Sequence, residues 1–196
     1  VVFLMCSAPG LPFFGQVLYN QSRQMKKERI LARITCLQLQ EAAPFPNSAL
    51  PVLLYQGVFE AAPDFRGLFS RHLWTGMWVN GVYTFHHFHA TAHEALGCLS
   101  GWAELLLGGP TGSPVRLEKG DAVLLPAGVG HQLLRASRDF SVLGAYPPGQ
   151  SPDLQRGDPG AYRQLQAMSA AVPLPDTDPV TGHEGGLRLH WQSSLA

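Results

Sequence analysis

At 196 residues the chain has length for one domain with a proper core and nothing that demands a second. Lys plus Arg and Asp plus Glu stand at 14 each, so no net field is available to hold nucleic acid or an anionic membrane, and a small molecule or a protein is the expected partner. With 21 Gly and 16 Pro set among aromatic and β-branched residues, the pattern predicts short strands joined by turns, an all-β fold rather than a helical bundle.

Residues 1–34 do not resemble the remainder. The apolar start, Val1 to Met5, is followed by Pro9, Gly10, Pro12 and Gly15, and the basic residues Arg23, Lys26 and Lys27 come after it, the wrong order for a secretory signal. The segment reads as an N-terminal extension, and Met25-Lys26-Lys27 reads as a bacterial start. Residues 1–24 are then an early-start or non-native addition with little role in the fold; the alternative is an arm that packs on a neighbouring subunit. No apolar run approaches the ~18 residues of a membrane span. The three cysteines, Cys6, Cys36 and Cys98, are odd in number and far apart. They fit neither a disulfide framework nor a zinc ribbon, so reduced thiols and a cytoplasmic location are expected.

Strands are predicted at Ile34–Gln40 and Leu50–Phe59, with a proline loop, Ala43 to Asn47, between them. Apolar residues at Phe65, Leu68, Phe69, Leu73 and Trp74 follow the helical period, so a short helix is expected over Asp64–Trp74 with Asp64 near its N-cap. Further strands are read at Trp78–His89, Glu94–Leu99, Ala103–Leu107, Val115–Leu117, Ala122–Leu125, His131–Arg135 and Phe140–Tyr146. So many short strands indicate a sandwich or barrel. Beyond Gln150 the chain turns polar and loop-rich. A helix over Tyr162–Ala171, an irregular Pro173–Gly182 and a last strand over Leu187–Trp191 are expected, and residues 151–196 read as a wrap over the barrel of residues 35–150.

The chemistry is concentrated in two stretches. Side chains alternate along a strand, which places Tyr83, Phe85, His87 and His89 on one face and makes His87 and His89 a chelating pair. On the next strand Glu94, Leu96 and Cys98 share a face opposite His93, and a third imidazole, His131, lies downstream. Three neutral nitrogens and one carboxylate suit a divalent transition metal. His93 is the rival to Glu94 for the fourth place, or a neighbour that orients it. Tyr83, Phe85 and Cys98 are candidates for the pocket wall, and Arg135, sharing inward parity with His131 and Leu133, is a candidate for an anionic substrate group. His72, His183 and His190 read as ordinary core or surface histidines.

The first stretch fits G-x5-H-x-H-x4-E-x6-G through Gly81, His87, His89, Glu94 and Gly101, and the second fits G-x5-P-x-G-x2-H through Gly120, Pro126, Gly128 and His131. Together they resemble the two motifs of the cupin superfamily, except that Arg135 stands where the family often has asparagine. Leu50-Pro-Val-Leu-Leu-Tyr-Gln-Gly57, Phe85-His-His-Phe-His89 and Pro173-Leu-Pro-Asp-Thr-Asp-Pro179 are further similar to the bacterial YjlB-like single-domain cupins, and the resemblance spans roughly residues 35–191. It implies a double-stranded β-helix, or jelly-roll barrel, with one or two short helices and a loop-rich C-terminal tail. It further implies one divalent metal (Fe, Mn, Ni or Zn) at the centre, a pocket open at one end, and, by analogy, a homodimer joined by strands. The expected function is a metal-dependent enzyme on a small molecule, a dioxygenase first. A metal-dependent isomerase or lyase, or a non-catalytic cupin that binds a small ligand or metal, stands as the alternative.

Overall fold

Among the described residues, nine short strands account for most of the regular structure: β1 (Arg33–Leu37), β2 (Val52–Gln56), β3 (Thr75–Asn80), β4 (Glu94–Ser100), β5 (Trp102–Leu107), β6 (Ser113–Glu118), β7 (Ala122–Leu125), β8 (His131–Ala136) and β9 (Ser141–Tyr146). Helices α1 (Phe65–Arg71) and α2 (Tyr162–Ala170) and a π-helical turn, Arg188–Gln192, complete the list. The computed structural model describes residues 32–192, so the expectations for residues 1–24 lie outside the described residues. β1 opens at Arg33, just inside the segment expected as an extension. Among the described residues no helix is long and apolar enough to cross a membrane.

All strand pairs are antiparallel, in a six-stranded sheet ordered β1-β2-β7-β4-β9-β3 and a three-stranded sheet ordered β6-β5-β8. The two do not join into a closed barrel; they form a two-sheet jelly roll, the architecture that the motif resemblance implies. Strand alternation explains why both faces of the large sheet are apolar. Val52, Leu96, Cys98, Val123, Leu125 and Val142 point toward Ala103, Leu105, Leu107 and Leu117 of the small sheet, forming the core between the sheets. The intervening residues Leu53, Tyr55, Ala95, Leu124, Leu143 and Ala145 face the other way and are covered by Phe65, Leu68, Phe69 and Trp74, and by Val180, Leu187 and Trp191 of the tail. Without that cover the outer face of the sheet would be bare to water.

Helix α1 is shorter than its apolar pattern predicts. The Asp64 carboxylate caps it by accepting the Gly67 N–H at 2.9 Å, and Leu73, with φ of 67°, ends the helical run before Trp74. Two further expectations are corrected. The strand predicted through His89 stops at Asn80; residues 81–93 run irregularly, tied down by isolated bridges from His87 to His131 and from Phe88 to Gln155. The strand predicted at Leu187–Trp191 is a helical turn. A strand would put Leu187, Leu189 and Trp191 on one face, whereas Leu187 and Trp191 are buried and Leu189 is exposed, the i, i+4 spacing of a helix.

Of the motif glycines, Gly81 has open space where a Cβ would stand, so nothing at that position demands glycine. Gly120 is the opposite case. Its φ is +92°, a Cβ would fall 2.0 Å from the Phe59 carbonyl oxygen, and its own carbonyl accepts the Phe59 N–H at 3.1 Å. Gly120→Ala is therefore expected to cost about 2 kcal/mol or more, read as a lower urea midpoint at unchanged slope.

Candidate metal centre

Residues 83–89 keep strand-like alternation without a full ladder. Tyr83 stacks on Phe85 with centroids 4.8 Å apart, and both rings meet His87, as does His89. His87 and His131 exchange both backbone hydrogen bonds, at 3.1 and 2.8 Å, which brings their rings to 3.9 Å between centroids. One ligand nitrogen from each of His87, His89 and His131 lies within 4.8 Å of the other two.

The tautomers follow from the backbone. Nδ1–H of His87 donates to the Phe85 carbonyl at 3.1 Å, that of His131 to the Val129 carbonyl at 3.0 Å, and that of His89 to the Asp153 carbonyl. Each proton is thereby fixed on Nδ1, and Nε2 is left with a bare lone pair, the arrangement that metal-binding imidazoles need. Burial, and then the neighbouring His131, push the His87 pKa down to about 3, which keeps that ring a neutral donor. Burial opposes protonation of His89 as well, but the Glu94 carboxylate and the Asp153 carbonyl outweigh it and raise that pKa.

Glu94, the first residue of β4, is buried beside them. Its Oε1 lies 3.5 Å from His89 Nε2 and its Oε2 3.4 Å from His131 Nε2. Burial alone would raise the Glu94 pKa; the contacts with His131 and His89 hold it below the usual carboxylate range. Oε1 also accepts the Tyr146 hydroxyl at 3.0 Å, and Tyr146 in turn accepts the Trp78 Nε1–H at 2.8 Å. Burial and the nearby carboxylate push the Tyr146 phenol up, so it remains a donor. The group opens into a cavity of about 490 Å³ lined by Trp78, Tyr83, Leu96, Tyr146, Asp153 and their neighbours.

The other predicted residues fall elsewhere. His93 is on the far side of the strand: its Nδ1 accepts the Ala127 N–H at 3.0 Å and its ring packs on Trp191. It lines a second cavity that faces α2, not the three imidazoles, and burial pushes its pKa down to about 4. Tyr83 lines the first cavity, but Phe85 is taken up by Tyr83 and by the Arg156 guanidinium, 4.1 Å from its ring. Cys98 is core between the sheets; burial pushes its thiol up to about 12. Arg135 points to solvent and pairs with Glu104 at 2.7 Å. Its parity is inverted by a β-bulge: Leu133 pairs with Leu105 but Arg135 with Glu104, so Leu134 is the extra residue and the inward alternation from His131 ends there.

No family model matches the chain. Over 141 residues it is 36% identical to the uncharacterized protein YjlB of Bacillus subtilis, an alignment that covers 72% of this chain and 86% of that protein. The chain belongs to the YjlB family. Solved structures similar to this YjlB-family chain include an acireductone dioxygenase from Bacillus anthracis with cadmium in its active centre, at 18% identity and a TM-score of 0.32, covering 46% of this chain and 62% of that one. They also include the DMSP lyase DddQ from Ruegeria pomeroyi, at 23% identity and 0.30, covering 65% and 53%. A TDP-fucose-3,4-ketoisomerase from Campylobacter jejuni matches at 16% identity and 0.37, covering 70% and 96%. The chain spans less than two thirds of the dioxygenase and of the lyase.

Trp78, Tyr146 and Asp153 are the site residues that sequence reasoning misses. Trp78 lies across its cross-strand partner Gly144, where a Cβ would stand 2.2 Å from the indole, so glycine at that position is what lets the ring lie on the sheet. Asp153 Oδ1 accepts from Ala90 N–H at 2.6 Å, Thr91 N–H at 3.2 Å and the Thr91 hydroxyl at 3.0 Å, and Oδ2 accepts Gln155 Nε2 at 2.7 Å. These bonds anchor the loop that holds the His89 ring.

Proposed function

We propose that the chain is a metal-dependent enzyme on a small molecule, a dioxygenase in the first instance, with His87, His89, His131 and Glu94 holding one divalent Fe, Mn or Ni ion. The observation that carries this reading is the shared tautomer: three imidazoles, two buried and that of His89 partly so, each with Nδ1–H given to a backbone carbonyl, turn Nε2 toward one another beside a buried carboxylate. That donor set fits a borderline transition metal. An ion bound there supplies Lewis acidity and redox chemistry toward dioxygen at the positions the protein leaves open.

The chain's own residues do the rest. Tyr146 fixes the rotation of the Glu94 carboxylate, the Asp153 carbonyl fixes the His89 ring, and Trp78 and Leu96 help keep water from the cavity floor. Oxygen consumption is expected only when metal and substrate are both present, measured with an oxygen electrode on Fe-, Mn- or Ni-loaded protein against enols, enediols and thiols. Full turnover with zinc under anaerobic conditions would assign an isomerase or lyase instead. Ligand binding without turnover would assign a non-catalytic cupin.

A further inference from the structure

The wall of the cavity above the histidines is unusual for what it lacks. Among the described residues that line it there is no lysine or arginine, and its two carboxylates are both engaged: Glu94 by His89, His131 and Tyr146, and Asp153 by Ala90, Thr91 and Gln155. The floor is aromatic. The Trp78 indole is pressed against Gly144 and its N–H is bound to Tyr146, so the ring is fixed as part of the wall rather than free to turn. The rim is apolar too. Of six large apolar residues that stand exposed among the described residues, three, Val79, Tyr83 and Leu154, line this one cavity.

These observations decide between ligand classes. A carboxylate or phosphate on the part of the ligand that does not reach the metal would give up hydration here and meet no lysine or arginine in the lining, an uncompensated cost. A neutral flat body would instead bury its area against Trp78 and the rim without leaving a polar group unpaired. We propose that the cavity takes an uncharged, flat, apolar-bodied molecule that presents two adjacent oxygens to the metal, and selects against ligands carrying a further anionic group. This rests on the metal centre proposed above, and it names the class of molecule that centre acts on.

Catechol and 3,4-dihydroxybenzoate present the same oxygen pair and differ by one carboxylate. Titrated calorimetrically into metal-free and zinc-loaded protein, catechol is expected to bind at least about tenfold more tightly than the acid, with zinc tightening the catechol complex. In Val79→Arg, which sets a cation on the rim, the ratio is expected to narrow to about threefold. Equal or tighter binding of the acid by wild type overturns the proposal, as does catechol binding to neither form. A retained preference for catechol with no effect of zinc keeps the selection against anionic ligands but overturns the metal centre, and with it the presentation of two oxygens to a metal.

Discussion

Protein carrying His131→Ala is expected to lose its bound transition metal, with affinity falling roughly a hundredfold or more because one of three converging imidazoles is gone. The exchange of backbone hydrogen bonds between His87 and His131 does not involve the side chain, so the loop should keep its path and the far-UV signal its shape. Elemental analysis of protein purified without chelator or affinity metal makes the measurement. Glu94→Gln keeps the shape of the side chain and its contact with Tyr146 but removes the negative charge, and is expected to weaken binding by about 10- to 100-fold. His93→Ala is the discriminating control. Its ring faces Ala127 and Trp191, so metal content should stay at the wild-type level. Wild type without stoichiometric metal, or His93→Ala losing as much as His131→Ala, would overturn the assignment.

What could be read from the sequence here was what depends on local periodicity. His87 and His89 share a side because side chains alternate, and this holds even though residues 81–93 form no ladder. Glu94 and His93 face opposite ways for the same reason. Arg135 escaped because alternation carries only to the next bulge, and the register shift at Leu134 depends on how β8 meets β5, a partner about 30 residues away. Tyr146 escaped for a related reason. Its own strand was legible, but its place beside Glu94 requires that β9 lie next to β4, with Ala145 opposite Ala95, and no local pattern states that pairing. Asp153 sits in a segment whose composition reads only as loop, yet it binds the turn after His89. The tail posed the same problem: Leu187 and Trp191 are apolar under any assignment, and only the exposed Leu189 between them distinguishes a helix from a strand.

The largest stability effect is expected from a residue in that tail with no contact to the histidines. Asp178 is buried, and its carboxylate accepts four bonds: Oδ1 from the Val180 and Thr181 N–H groups, each at 2.8 Å, and Oδ2 from the Leu187 N–H at 2.8 Å and the Tyr55 hydroxyl at 2.5 Å. It thereby organises the segment that covers the outer face of the large sheet. Asp178→Ala removes the acceptor for all four donors at once and should cost about 3–5 kcal/mol, a large share of an ordinary domain's stability. Asp178→Asn keeps one oxygen but turns an amide N–H₂ toward donors, and should fall between alanine and wild type. Tyr55→Phe loses a single bond to a charged acceptor, about 1.5–3 kcal/mol. Burial, and then Asp178, raise the Tyr55 pKa well above 10.0. Its folded pKa therefore exceeds its unfolded one, so the contribution of the hydroxyl is full below pH ~10 and declines as pH rises from there toward the folded value. Urea midpoints at neutral pH should rank wild type, Tyr55→Phe, Asp178→Asn and Asp178→Ala in falling order. An Asp178→Ala midpoint within about 1 kcal/mol of wild type would mean that water or another acceptor replaces the carboxylate, and that the tail is held by Trp191 and Leu187 packing alone.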